Sequence, residues 1–162
     1  MEPENKVAAK EILRSMKIIH LAIVISSASF LIISFVLIST YGPLAHLDIA
    51  NSQILLTIGL LIAVLLVTMA YFIHSKRIKQ NTQSPFNTRL NQYRSSMILK
   101  IALQESALTF LIVIYILTSI MSMLLGSVIL VILLLLNRPG VQLTATELNL
   151  NDHEIAQLSD PN

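Results

Sequence analysis

The sequence predicts an all-α integral membrane protein, a four-helix bundle built as two helical hairpins. Three observations predict it. Only 12% of the 162 residues are charged and 54% are hydrophobic, whereas a soluble domain carries about 25% charged residues, so the chain lacks the polar surface to wrap a globule. Three apolar runs, 18–38, 54–73 and 101–136, hold no Lys or Arg and contain just one carboxylate, Glu105, and one histidine, His20. All 11 Lys and Arg lie before the first run, between the second and third, or just beyond the last.

Taken in order, residues 1–17 carry Lys6, Lys10, Arg14 and Lys17, with Val7, Ile12 and Met16 at helical spacing. This is an amphipathic segment that lies on the membrane surface or extends the first helix. Run 18–38 matches the roughly 20 residues that cross a bilayer core. It is too long for a cleaved signal peptide, and no small-residue cleavage site follows. Gly42-Pro43 is a turn signal that ends it. Run 54–73 is the second crossing. The basic stretch 74–100 follows as a loop, in which Ser84 is the expected N-cap and Pro85 the first helical residue. Phe86, Leu90 and Tyr93 recur at helical spacing, so the third helix starts early as an interfacial segment. Run 101–136 is too long for one crossing, so 101–119 and 121–137 are read as two, with a turn near Thr118–Ser122. Asn137-Arg138-Pro139-Gly140 stops the fourth helix. The tail 138–162 is acidic and holds two capping-box patterns, Thr144 to Glu147 and Asn151 to Glu154. With Leu148, Ile155 and Leu158 on one side, it is expected to dock on the basic loop.

Positive residues mark the cytoplasmic side of a membrane protein. The loop 39–53 has none, while the N-terminal segment, the stretch 74–100 and the start of the tail have them all. Both termini are therefore placed in the cytoplasm. The same rule accounts for the basic loop without nucleic acid as a partner. The chain also repeats: an 80-residue shift aligns 14–39 with 94–119 at ten identities in 26 positions, including Arg14-Ser15, Ser26 and Phe30-Leu31-Ile32. Two hairpins of like orientation, related by an axis along the membrane normal, follow from it.

Glu105 is the candidate functional residue. An acid inside a membrane helix is costly and points to function unless it is paired. It lies five residues past Lys100, about 7.5 Å deeper at 1.5 Å per residue. Two roles suit it and its neighbours Gln104 and Ser106. One is ion coupling, which implies a transported proton. The other is a polar clamp between helices. Depth makes His20, Ser26, Thr68 and Tyr71 the possible partners. Gly59 with Ala63, and Ser29 with Ser34, are read as helix-packing positions, because small residues let backbones approach. His74 and His153 are expected to be exposed. There is no cysteine, no metal-ligand spacing and no nucleophile–base pattern, so neither cofactor nor catalysis is implied.

The stretch "ALQESALTFLIVIYIL" resembles the ion-carrying helix of rotary ATP synthase proteolipid (c) subunits. That resemblance implies Glu105 as ion carrier, Ser106 as a neighbouring ligand and Gln104 flanking it. The second helix departs from the family in having only Gly59 rather than a glycine-rich pattern. Phe110 stands where sodium-type members place a Tyr. More broadly, "YRSSMILKIALQESALTF" and "NRPGVQLTATELNLNDHEIAQL" resemble uncharacterised small four-helix bacterial inner-membrane proteins of the Bacteroidota kind. This implies a multi-pass fold and a bacterial inner-membrane address. The expected function is a non-enzymatic accessory or assembly subunit of a larger membrane complex, with the lipid bilayer and other subunits, or itself, as partners. The alternative is a small oligomeric proton-coupled transporter or channel component using Glu105.

Overall fold

A computed structural model describes residues 3–45, 49–80 and 84–159. Six helices follow in order: α1 (Pro3–Tyr41), α2 (Ile49–Lys79), α3 (Phe86–Thr118), α4 (Met121–Leu136), α5 (Val141–Leu148) and α6 (Asp152–Ser159). No strand occurs among the described residues. α1, α2 and α3 are each long and apolar enough to cross a membrane, whereas α4 reaches that standard only together with α5, across a bend of 84°. At 16 residues, α4 alone measures about 24 Å, short of the roughly 30 Å hydrocarbon core. The outer surface is apolar in the way lipid requires: Ile32, Leu61, Phe72, Ile129 and Leu136 are all more than 60% exposed. The chain is a helical membrane protein.

The 33-residue α3 is the axis of the molecule. α1, α2 and α4 all pack against it, and α1 meets α4 more extensively than it meets α2. The break after α3 falls where the sequence placed it. Ser119 takes a left-handed φ of 55° and donates its N–H to Tyr115 O, and Thr118 Oγ accepts from Ile120 N–H at 3.3 Å. The last carbonyls of a helix have no partner of their own. Those of Ile116 and Leu117 accept from Leu44 N and Ala45 N, each at 3.1 Å, so the connection after α1 caps α3. Gly42, at φ 77°, supplies the left-handed residue that turns the chain there.

Helical structure reaches much further than the apolar runs. The N-terminal segment is continuous with α1, and the basic stretch 74–100 is largely the end of α2 and the start of α3. These extensions bring Ala9, Leu13, Met16, Leu90, Tyr93, Met97, Leu148 and Leu158 into the same buried core as the membrane helices. A helical headpiece thus caps the basic end. Two boundary details differ from expectation. Pro85, not Ser84, is the N-cap of α3. Thr144 lies inside α5, whose N-cap is Gly140, so its pattern with Glu147 is not a capping box. The second pattern is a true one: Glu154 N–H donates to Asn151 Oδ1 at 2.9 Å, and Asn151 N–H donates to Glu154 Oε2 at 3.1 Å.

Candidate functional site at the basic end

The polar residues that gather in this fold do so around His74, not Glu105. His74 ends the small-residue face of α2, on which Gly59, Ala63 and Ala70 are buried against the bundle. It is itself 3% exposed, contrary to its expected exposure. Its Nε2 lies 3.1 Å from Glu147 Oε2 on α5, and its Nδ1 lies 2.9 Å from Ser96 Oγ on α3. An ionised carboxylate only accepts, so His74 carries a proton on Nε2. In the neutral ring Nδ1 then accepts from the Ser96 hydroxyl. The Tyr93 ring stacks obliquely on His74, with centroids 5.7 Å apart. The buried Tyr93 hydroxyl faces Glu147 and Thr144 without reaching full hydrogen-bond geometry.

Lys100 completes the cluster. It is 3% exposed, and its Nζ sits 4.4 Å from the centroid of the Tyr71 ring, a cation–π contact. The Tyr71 hydroxyl accepts from Asn137 Nδ2 at 2.8 Å, which fixes the ring to the end of α4. Burial alone would raise the Glu147 carboxyl. The hydrogen bond from His74, the Tyr93 hydroxyl that faces it and the charge of Lys100 outweigh it and hold Glu147 below its ordinary value. Beside this cluster Arg89 forms an ion pair with Glu154 on α6, and its Nη1 donates to Leu148 O at 3.4 Å. The acidic tail is therefore latched to the basic extensions of α2 and α3 at two points. A cleft of about 220 Å³, lined by His74, Arg77, Lys79, Arg89, Tyr93 and Glu147 among others, opens beside the latch. Ser96, His74 and Glu147 are residue types of an acyl-transfer triad. Ser96, however, is 1% exposed and does not line the cleft.

No family model, curated protein or solved structure matches this chain.

The residues singled out from the sequence are dispersed. Glu105 is half-buried on the outer side of α3 and forms neither a hydrogen bond nor an ion pair among the described residues. With Ser106, Thr109, Phe110 and Val113 it lines an open, shallow depression. The Ser106 hydroxyl donates to Ala102 O at 2.8 Å in its own helix. Each suggested partner is turned elsewhere. His20 donates from Nε2 to Leu134 O at 2.8 Å, and Thr68 donates to Val64 O at 2.8 Å. Tyr71 serves Lys100 and Asn137. Ser26 and Ser29 are exposed, while Ser34 is buried and donates to Phe30 O. Gln104 points the other way from Glu105. It is 0% exposed, and both of its amide atoms lack a hydrogen-bond partner.

A buried polar group without partners is destabilising. Gln104→Met is therefore expected to raise the thermal unfolding temperature of the purified protein, by about 1–2 kcal/mol of stability. A fall of that size would mean that Gln104 clamps helices together. His74, Ser96 and Glu147 escaped the sequence reading because 22 and 51 residues separate them in the chain. The available signal was charge: an acidic tail following a basic stretch on the same side of the membrane.

Proposed function

We propose that this chain is a non-enzymatic subunit of a larger assembly in a bacterial inner membrane, and that the outer face of α3 around Glu105 is where it meets another membrane chain. One observation carries the reading. Glu105, Ser106 and Thr109 form a polar stripe within an apolar span, and Glu105 has no partner among the described residues. An acid facing lipid is costly, and a polar group from a neighbouring helix relieves that cost. On this reading both termini, the latch and the headpiece lie in the cytoplasm by the positive-inside rule. α4 is a fourth crossing, with the membrane thinned or the flanking residues reaching outward to suit its length. A duplicated origin is supported by burial as well as by identities. Leu13, Met16, His20, Val24, Ser27 and Ser34 are buried, and so are their mates 80 residues on, Tyr93, Ser96, Lys100, Gln104, Ala107 and Ile114.

The test compares wild type with Glu105→Gln and Glu105→Leu in native membranes, with a photo-crosslinker at Thr109 and a control crosslinker at Phe72. Crosslinks to one distinct membrane protein from Thr109, lost in the Glu105 variants, are expected. The thermal stability of the isolated chain should not fall. The second reading, a homo-oligomeric proton-coupled transporter, requires Thr109 to crosslink only to itself. It also requires Glu105→Gln to abolish proton flux in liposomes, and equal flux in mutant and wild type would sink it.

A further inference from the structure

We infer that a cleft between α1 and the end of α4 is a binding site for one anionic phospholipid, its phosphate held by Arg14, Lys17 and Arg138 and its acyl chains laid on Ile18, Leu21, Val24 and Leu135. This rests on the chain being a membrane protein and not on the subunit reading above. The cleft holds about 320 Å³, and its lining consists of these seven residues and His20. Its composition is divided by depth. The three cations stand at the basic end, where α1 and α4 leave the apolar region, and the four apolar side chains lie on the membrane side of them. This is the order of a phospholipid, headgroup outward and hydrocarbon inward.

Four features make the cleft more than a surface that happens to be basic. The positive-inside rule accounts for the number of cations on this side, but not for the convergence of Arg138 with Arg14 and Lys17, which are more than 120 residues away in sequence. None of the three forms an ion pair or hydrogen bond among the described residues, and Glu11, one turn before Arg14, makes no ion pair either. Each cation is exposed and available. The fourth feature concerns α4. A helix C-terminus is a poor place for an anion, because its terminal carbonyls carry partial negative charge. Here two of the four are occupied. Leu134 O accepts from buried His20 Nε2 at 2.8 Å, and Leu133 O accepts from Asn137 Nδ2 at 2.8 Å. His20 thereby joins α1 to α4 at the floor of the cleft and removes an acceptor that would repel a phosphate. Basic pockets between membrane helices on the cytoplasmic side suit anionic headgroups. Arg is especially suited, because its guanidinium meets phosphate oxygens in pairs.

The experiment is a titration of the full chain, in neutral detergent, with phosphatidylglycerol or phosphatidylcholine, read by native mass spectrometry. One retained phosphatidylglycerol, with phosphatidylcholine bound at least tenfold more weakly, is expected. Arg14→Gln with Arg138→Gln should weaken phosphatidylglycerol about tenfold or more. The charge-matched control Lys76→Gln with Lys79→Gln should leave it unchanged, and equal losses in the two doubles would overturn the site in favour of general surface charge. Should the double variant not fold, Leu21→Ser tests the apolar wall without touching charge. It should weaken long-chain but not short-chain phosphatidylglycerol, and an equal effect on both overturns the proposal. Displacement of the lipid by an equimolar amount of inorganic phosphate would also overturn it, because the site would then be one for the free anion.

Discussion

Glu147→Gln is expected to release the C-terminal helices from the bundle. The carboxylate is the acceptor for the His74 N–H and interacts with the charge of Lys100, and His74 and Lys100 are each 3% exposed. Removing one member of such a set leaves the others desolvated and unpaired, which costs more than the pair contributes when intact. Glu147 itself retains 24% exposure, so solvent screens part of the effect and about 2 kcal/mol is the expected loss. Amide hydrogen exchange over 141–159 should then accelerate about 30-fold, while α2 and α3 keep their protection. Arg89→Gln should act in the same direction through Glu154, by a smaller amount, because the Asn151 capping box holds α6 together without it. Unchanged exchange in the Glu147 variant would show that apolar contacts of Leu148 and Leu158 alone seat the tail.

The same carboxyl sets the direction of the pH dependence. Glu147 is held below its ordinary value of 4.5 in the folded chain. The stabilisation it provides is therefore complete above that value and is lost as the pH falls through the lowered folded value. Tail protection should be insensitive to this carboxyl at neutral pH and fail only on acidification below it. In Glu147→Gln that acid transition should be missing.

Gly59→Leu is expected to separate α2 from the rest of the bundle. A Cβ on Gly59 would stand 2.6 Å from Ile114 Cδ1 and 3.0 Å from Met123 Cε. Both atoms are ends of flexible side chains, so Gly59→Ala should be tolerated at a cost of about 1 kcal/mol. Three further carbons have nowhere to go, since Ile114 and Met123 are 4% and 0% exposed. The leucine forces a shift of α2 against both α3 and α4 and should cost about 3 kcal/mol. A fall in unfolding temperature in detergent, graded from Gly through Ala to Leu, is the readout. Ser29→Leu, on the exposed face of α1, should change nothing, and a comparable loss there would remove the argument for a specific contact at Gly59.

How much was legible in the sequence differs sharply between fold and site. The membrane helices and the break at Ser119 could be read because each is a local property. A run of apolar residues has one stable environment, and a run too long for one crossing must turn near its middle. The length of the helices was harder to read. Hydropathy stops at the edge of the apolar run, but hydrogen bonding does not, and 74–79 and 86–100 continue as helix because the tail and the N-terminal segment cover them. Gly59 was legible as a packing residue, since a lone glycine in a helix needs a close neighbour. Its neighbours were not.

Glu105 attracted attention because a single acid in an apolar run is conspicuous along the chain. In three dimensions it lies on the outer side of α3 without a partner among the described residues, while the partnered acids are Glu147 and Glu154, which in the sequence are two of several polar residues in a tail. The sequence alone determined the solvent of this protein, because transfer of apolar side chains is a sum over residues and needs no knowledge of contacts. Only the tertiary structure decided which polar groups meet. His74, Ser96 and Glu147, and likewise Arg14 and Arg138, come together through helix directions and a bend at Pro139, and neither composition nor periodicity along the chain encodes those directions.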